Sequence, residues 1–181
     1  MTLRRIEAAD AIVSLEEAKL HLRVEHDADD ALIASLVAAA TARAERYTGM
    51  AFGEQTWEQV LDTFPAAAID LGLGPVVSVG FVRFIDSAGD EQDVDSAEYE
   101  IDTVSRDGWV VPSSDWPTPM DTINAVRVRF VVGTTPPADV RAAVLLMVGH
   151  WYANREAAGP AMQAIPIGAE ALLDLHRRMF V

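Results

Sequence analysis

The chain has 181 residues, half of them hydrophobic, and a formal charge of −14. That length suits one domain with a sizeable core, or a core with an inserted subdomain. The acid excess argues against a grip on nucleic acid, and no apolar run approaches the roughly eighteen residues of a membrane-spanning helix. Cysteine is absent, which excludes disulfides and thiolate metal sites and leads us to expect a cytosolic origin. The N-terminal stretch MTLRRIEAADAIVS is too short in its apolar part for a signal peptide. Residues 1–13 read as a loosely ordered arm, with Ile6, Ile12 and Val13 as possible anchors.

Helical signals begin at Ser14. Ser14 followed by Glu17 is a capping box, in which the hydroxyl accepts from the Glu17 amide and the carboxylate reaches back. Asp27, Asp29 and Asp30 place negative charge at a second helix start, where unpaired amides and the macrodipole favour it. Leu32, Ile33, Leu36, Val37, Ala40, Ala44 and Tyr47 recur at three and four and form one apolar stripe. Gly49 stops that helix. The spacing thus predicts a short helix, an acidic turn and a long amphipathic helix within residues 14–52.

From Gln55 the period changes to two. Thr56 to Asp62 is rich in strand formers and Pro65 follows it. Gly72, Gly74 and Pro75 make a turn cluster. Val76 to Ile85 reads as a strong strand, with Val77, Val79, Phe81 and Arg83 on one face and Val76, Val82 and Phe84 nearer the other. Ser87 to Asp90 is a hairpin turn with Gly89 supplying positive φ, and Glu91 to Val94 can return antiparallel. Tyr99 to Asp102 alternates, Gly108 to Val111 is brief, and Val126 to Val132 alternates apolar residues against Arg127 and Arg129. The charge is uneven: −3 over residues 1–50, −11 over residues 51–136 and 0 over residues 137–181.

Helical spacing returns after Pro136-Pro137, with Asp139 at the helix start. Val140, Val144, Met147, Val148 and Trp151 form a stripe that Leu145, Leu146 and Tyr152 widen. It should pack on the Leu32–Tyr47 helix, burying Leu36, Tyr47, Val144, Val148 and Trp151. Gly159-Pro160 begins a flexible link to a short last helix with Leu172, Leu173 and Leu175. The expected class is α+β: a helical core (an N-terminal helix pair plus a C-terminal long helix) with an inserted small, mostly antiparallel β region and a C-terminal tail helix. As one domain, residues 1–181 divide into helical residues 14–52, an inserted β region 55–135, a core helix 137–157 and a tail arm 159–181.

No motif in the chain announces chemistry. His21, His26, His150 and His176 form no HExxH, and they read as structural or surface side chains. There is no G-x-S-x-G, phosphate loop or dinucleotide fingerprint. Asp86, Asp90, Glu91, Asp93 and Asp95 lack the ligand order of an EF-hand and read as an exposed hairpin tip. Trp57, Trp109, Trp116 and Trp151 do not interleave with basic residues as a nucleic-acid stacking platform would. The residues therefore point to no catalytic, cofactor or metal site.

Order and spacing carry more. The stretch SLEEAKLHLRVEHDADDALIASLVAAATARAERYTGMAF resembles the opening of phage head–tail connector (adaptor) proteins of long-tailed phages, prophages and gene transfer agents. The shared pattern is a leucine-rich helix ending "HLR", an acidic turn with "DD.LI..L", and a helix ending "A..YTGR", with Met50 here at the usual basic position. It continues through Thr56-Trp57, the Val126 to Gly133 strand ending "VRFVVG", and "P..V..A.LL.V.HWY.NRE" at Pro137 to Glu156. The tail pattern matches Pro166, Gly168, Ala169, Leu172, Leu173 and Arg177.

The resemblance implies a structural virion protein with no known enzyme activity or cofactor. Such a protein is made in the bacterial cytoplasm and sits in the neck. It joins the portal protein to a tail-side neck protein as a ring of about twelve copies, through which DNA passes without specific binding and without any membrane role. Other neck or tail completion proteins, or a small hydrolase with an unrecognised site, are the alternatives. Under this reading the tail is a docking arm for the portal or a neighbouring subunit. Leu172, Leu173 and Leu175 fill a groove, while His176, Arg177 and Arg178 pair with carboxylates.

Overall fold

The computed structural model describes residues 1–105, 107–154 and 166–177. The chain forms two compact units, each built from two segments: a β unit, Met1–Ala9 with Gly53–Thr134, and a helical unit, Asp10–Phe52 with Thr135–Val181.

The β unit holds strands β1 (Thr2–Glu7), β2 (Gln55–Leu61), β3 (Ile69–Asp70), β4 (Val76–Ile85), β5 (Glu91–Asp93), β6 (Tyr99–Asp102), β7 (Trp109–Pro112) and β8 (Val126–Val132). They make a five-stranded sheet in the order β1-β2-β8-β4-β5 and a three-stranded sheet in the order β3-β7-β6. Every pairing is antiparallel. The centre is β8, whose alternation buries Val126, Val128, Phe130 and Val132 on one face and sends Arg127 and Arg129 to the other. Trp57 and Val79 lie opposite Phe130, and Gln59 and Val82 opposite Val128. The buried Gln59 side-chain nitrogen donates to the Asp70 carbonyl at 2.8 Å, which ties the two sheets, while its Oε1 has no partner among the described residues. Phe64 closes this core against Phe84, edge-on at 5.9 Å, and against Trp116, stacked at 4.8 Å.

Two irregularities in β4, at Val76/Ser78 and Val79/Phe81, shift its register on β8. They overturn the simple alternation expected for this strand. Val77 is exposed, Val79 joins the Phe130 row, and only Phe81 and Arg83 share the outer face. At the other end of the sheet, Gly133 has φ +140°, and a Cβ there would stand 2.0 Å from the Gly53 carbonyl oxygen. The Gly53 amide donates to the Thr134 carbonyl at 2.8 Å, so the two ends of the long β segment meet as bare backbone.

The expected picture of a helical core with a small inserted β region is corrected by these two sheets. The class remains α+β, but eight strands form a substantial unit of their own. The arm expected at residues 1–13 is also different: Thr2–Glu7 is a sheet strand, while Ile12 and Val13 are buried in the helical core. Periodicity could not reveal β1, because an edge strand exposed at nearly every position shows no apolar alternation.

The helical unit holds α1 (Leu15–Leu22), α2 (Asp30–Thr48), α3 (Ala138–Ala153) and α4 (Ile167–Asp174). Ser14 Oγ accepts from the Glu17 amide at 3.1 Å, as the capping box predicts. The Glu17 carboxylate pairs with Arg141 of α3 at 2.5 Å. Asp29, the N-cap of α2, makes no side-chain cap bond, and its carboxylate accepts from the Tyr152 hydroxyl. Lys19 bridges Asp27 and Asp30, each at 2.7 Å, and so locks the acidic turn to α1. Gly49 ends α2 at φ 71°, its amide on the Glu45 carbonyl.

Small residues on α2 (Ala40, Ala44) and α3 (Ala143) let the two long helices approach, with Ile33, Val37, Val144 and Val148 filling the seam. Val144 and Val148 are fully buried, whereas Leu36, Tyr47 and Trp151, expected to be buried in the seam, are only partly buried at the edge of the core. Helix α4 lies on α3 and α2 and covers the seam with Ala169 and Leu173. Leu173→Ala should therefore cost about 2–5 kcal/mol in urea unfolding, the range for a buried leucine. Leu175→Ala, on a side chain 74% exposed, should stay within about 0.5 kcal/mol. Equal losses at the two positions would mean that α4 does not pack as described.

Candidate interaction surfaces

The face of the five-stranded sheet opposite its core carries a ladder of charge. Arg4 of β1, Glu58 of β2 and Arg129 of β8 are direct cross-strand neighbours. The Glu58 side chain has no solvent exposure, whereas those of Arg4 and Arg129 are 56% and 41% exposed. Arg4 donates through Nε at 3.0 Å and through Nη2 to one carboxylate oxygen, and Arg129 Nη2 donates to the other at 2.7 Å. Burial pushes the Glu58 carboxyl up, but the bonds from Arg129 and Arg4 outweigh it and hold the group below its usual value. The ladder continues across β4, where Phe81 lies between the Arg83 and Arg129 guanidinium groups at 4.5 and 4.9 Å. Arg83 then grips Asp93 of β5 with two bonds, at 2.6 and 3.1 Å, and Arg127 pairs with Glu91.

The hairpin beyond β4 spends part of its acid on itself. Asp86 accepts from the amides of Ala88 and Asp90 and from the Gln92 side chain, and the Gln92 bond leads the causes that hold its carboxyl below the usual range. Asp95 accepts from the Ala97 amide, and Asp102 from Val104 and Ser105. Asp90, Glu98 and Glu100 remain exposed. Among the described residues no group of three metal-ligating side chains converges, and no helix is long and apolar enough to cross a membrane.

The tail residues expected to dock a partner fall in different environments. Leu173 is buried in the core of its own unit and Leu172 packs against that core. Leu175 is exposed, as is Ile167 at the start of α4. His176 Nε2 lies 2.7 Å from Asp139 Oδ2, and this contact leads the causes that lower the Asp139 carboxyl. Arg177 lies over the Tyr47 ring at 5.4 Å. The Tyr47 hydroxyl donates to Asp174 at 2.6 Å, and that bond, with burial, pushes the phenol up to about 12. Arg178 and the Gly159-Pro160 link lie outside the described residues.

The Glu58 ladder was missed in the sequence. Its one visible signal is an acid at the centre of an otherwise strand-forming run, which calls for a cationic neighbour but does not say which.

Residues 11–179 match the family model described as head completion protein. No curated protein sequence matches the chain. Among solved structures, a chain in the virion of a native gene transfer agent particle is similar with a TM-score of 0.81 and 25% identity, covering 100% of this chain and 97% of that one. A chain in the neck of an empty gene transfer agent particle, computed with C6 symmetry, gives a TM-score of 0.82 at the same identity and coverage. One in the neck of a native particle, computed with C12 symmetry, gives 0.79, again at 25% identity and the same coverage.

The lowered Glu58 carboxyl gives a testable pH signature. Its contribution is complete above the ordinary glutamate value of 4.5 and is lost as pH falls through the lower folded value. Wild type should lose stability below about pH 4.5 more steeply than Glu58→Gln, measured by melting temperature between pH 7 and 3. At pH 7, Arg129→Ala should cost about 2–3 kcal/mol, less than a fully buried pair because Arg4 remains. Parallel pH profiles for wild type and Glu58→Gln would contradict this account.

Proposed function

We infer the function from one premise: the chain belongs to the head completion protein family. It is a structural protein of the virion that joins head to tail. The observation that carries this is a family match over residues 11–179 together with full-length likeness to a neck component of a gene transfer agent particle. We propose the finer picture. Copies of the chain, about twelve in number, close into a ring between the portal protein and a tail-side neck protein, and the ring extends the DNA channel. The chain is made in the bacterial cytoplasm and acts without catalysis or cofactor.

Two physical features support this reading. The charge of −14 leaves a wall that offers passing DNA little cationic grip. The helical unit also exposes Leu146, Ile167 and Leu175, with Leu146 in reach of Gly168 at the start of α4. In this reading the tail docks in altered form: Leu173 anchors α4 to its own unit, and Leu175 and Ile167 are presented to the portal or an adjacent copy. Arg177 and Arg178 orient the contact more than they strengthen it, since exposed pairs add about 0–1 kcal/mol each.

Particles made without this chain should accumulate as DNA-filled heads separate from tails, seen by electron microscopy, and added purified chain should restore joining. Normal tailed particles in its absence would sink the proposal.

A further inference from the structure

Among the described residues two arginines, Arg43 and Arg129, enclose an Nε that has no acceptor, and Arg129 already holds Glu58 through Nη2. On the outer side of α2, Ala39, Ala42, Arg43 and Arg46 line a groove of about 210 Å³. Arg43 Nε is enclosed and has no hydrogen-bond acceptor. Between Arg43 and Arg46 in sequence, Glu45 turns its Oε1 to the Phe52 amide, from which it accepts at 3.0 Å. By contrast, Arg4, Arg83, Arg127, Arg129 and Arg141 all hold carboxylates. A guanidinium N–H shut away from water without an acceptor is costly, so this groove calls for an incoming oxygen anion.

The same chain carries the complementary surface. Residues 86–102 contain eight acids and no base. After the internal bonds of Asp86, Glu91, Asp93, Asp95 and Asp102, the exposed Asp90, Glu98 and Glu100 remain. A closed ring needs a heterologous contact, in which one surface meets a different surface of the next copy. Helix α2 and the acidic hairpin are two unlike surfaces of opposite sign.

We propose that the Arg43–Arg46 groove on α2 receives the acidic segment around Asp90 to Glu100 of a second copy, and that this contact sets the direction of the ring. The two alanines give a floor on which a backbone can lie close, and the guanidinium forks donate directional bonds to carboxylates. The proposal rests on the ring reading above and adds its interface.

The absence of cysteine makes the test clean. Ala42→Cys is combined, in three separate chains, with Asp90→Cys, Asp95→Cys or Glu98→Cys, and particles are purified from producing cells. Oxidation should give disulfide-linked dimers and higher multiples on a non-reducing gel for at least one pair, and none for any single cysteine. Arg43→Glu with Arg46→Glu should lower incorporation into particles about tenfold or more while the melting temperature holds. Rings that form normally yet give no cross-link with any pair, or that tolerate the double reversal, overturn the inference and leave the ring reading intact. Particles whose necks contain the chain but no ring of it overturn the ring reading itself.

Discussion

A carboxylate with no exposure to water sits on β2, between edge strand β1 and central strand β8, and the pairing of these three strands satisfies it. Burying an unpaired charge costs several kcal/mol, on the order of the whole stability margin of a domain. Glu58 is held by one arginine from each neighbouring strand, Arg4 and Arg129, so β1 must be present for the charge to be balanced on both sides. That requirement explains why the first seven residues leave the helical unit's part of the sequence and join the sheet. The arginines remain partly hydrated, which keeps their own desolvation small. The pairing thus specifies register as much as it adds stability: slipping β1 by one residue would turn Arg4 to the other face.

The helical unit is specified by volume instead. Its seam is made of alanines and valines at three- and four-residue spacing, and α4 closes it with Leu173. A side chain placed there in the same unit cannot also fill a partner's groove. What α4 can offer outward is set by what packing leaves over, namely Ile167 and Leu175. The polar fastenings around it, Tyr47 to Asp174 and His176 to Asp139, fix the helix end at two points on different helices.

Much of this was legible in the sequence, and the failures share a cause. Long periodic stretches declared themselves: α2, α3 and β8 follow from apolar spacing, and the Ser14 and Gly49 caps from residue type. Edge strand β1 did not, because its pairing depends on an acid more than fifty residues away. The faces of β4 did not, because two register shifts break the period that alternation assumes. The acidic turn read as a helix cap, but Lys19 on the preceding helix and Tyr152, far along the chain, claim its carboxylates. The tail leucines read as one apolar surface because a pattern counts residues and cannot say which of them a neighbouring helix covers. Local rules carry local structure, and cross-strand ion pairs and helix seams lie outside their reach.

Thirteen of the fourteen basic residues are arginine, and that choice has a structural use. Arg83 meets Asp93 with two nitrogens on two oxygens, and Arg4 reaches one Glu58 oxygen through two nitrogens. A planar fork holds direction across a flat sheet face and can also lie on an aromatic ring, as Arg83 and Arg129 do on Phe81. An ammonium offers neither. The chain's one lysine, Lys19, is used where a point charge suffices, with Asp27 and Asp30 converging on its Nζ. Within the sheet, each cation is thereby oriented along the strand-to-strand direction, so the ladder resists sliding between strands. A layer of lysines with the same charge would balance the acids without fixing the register.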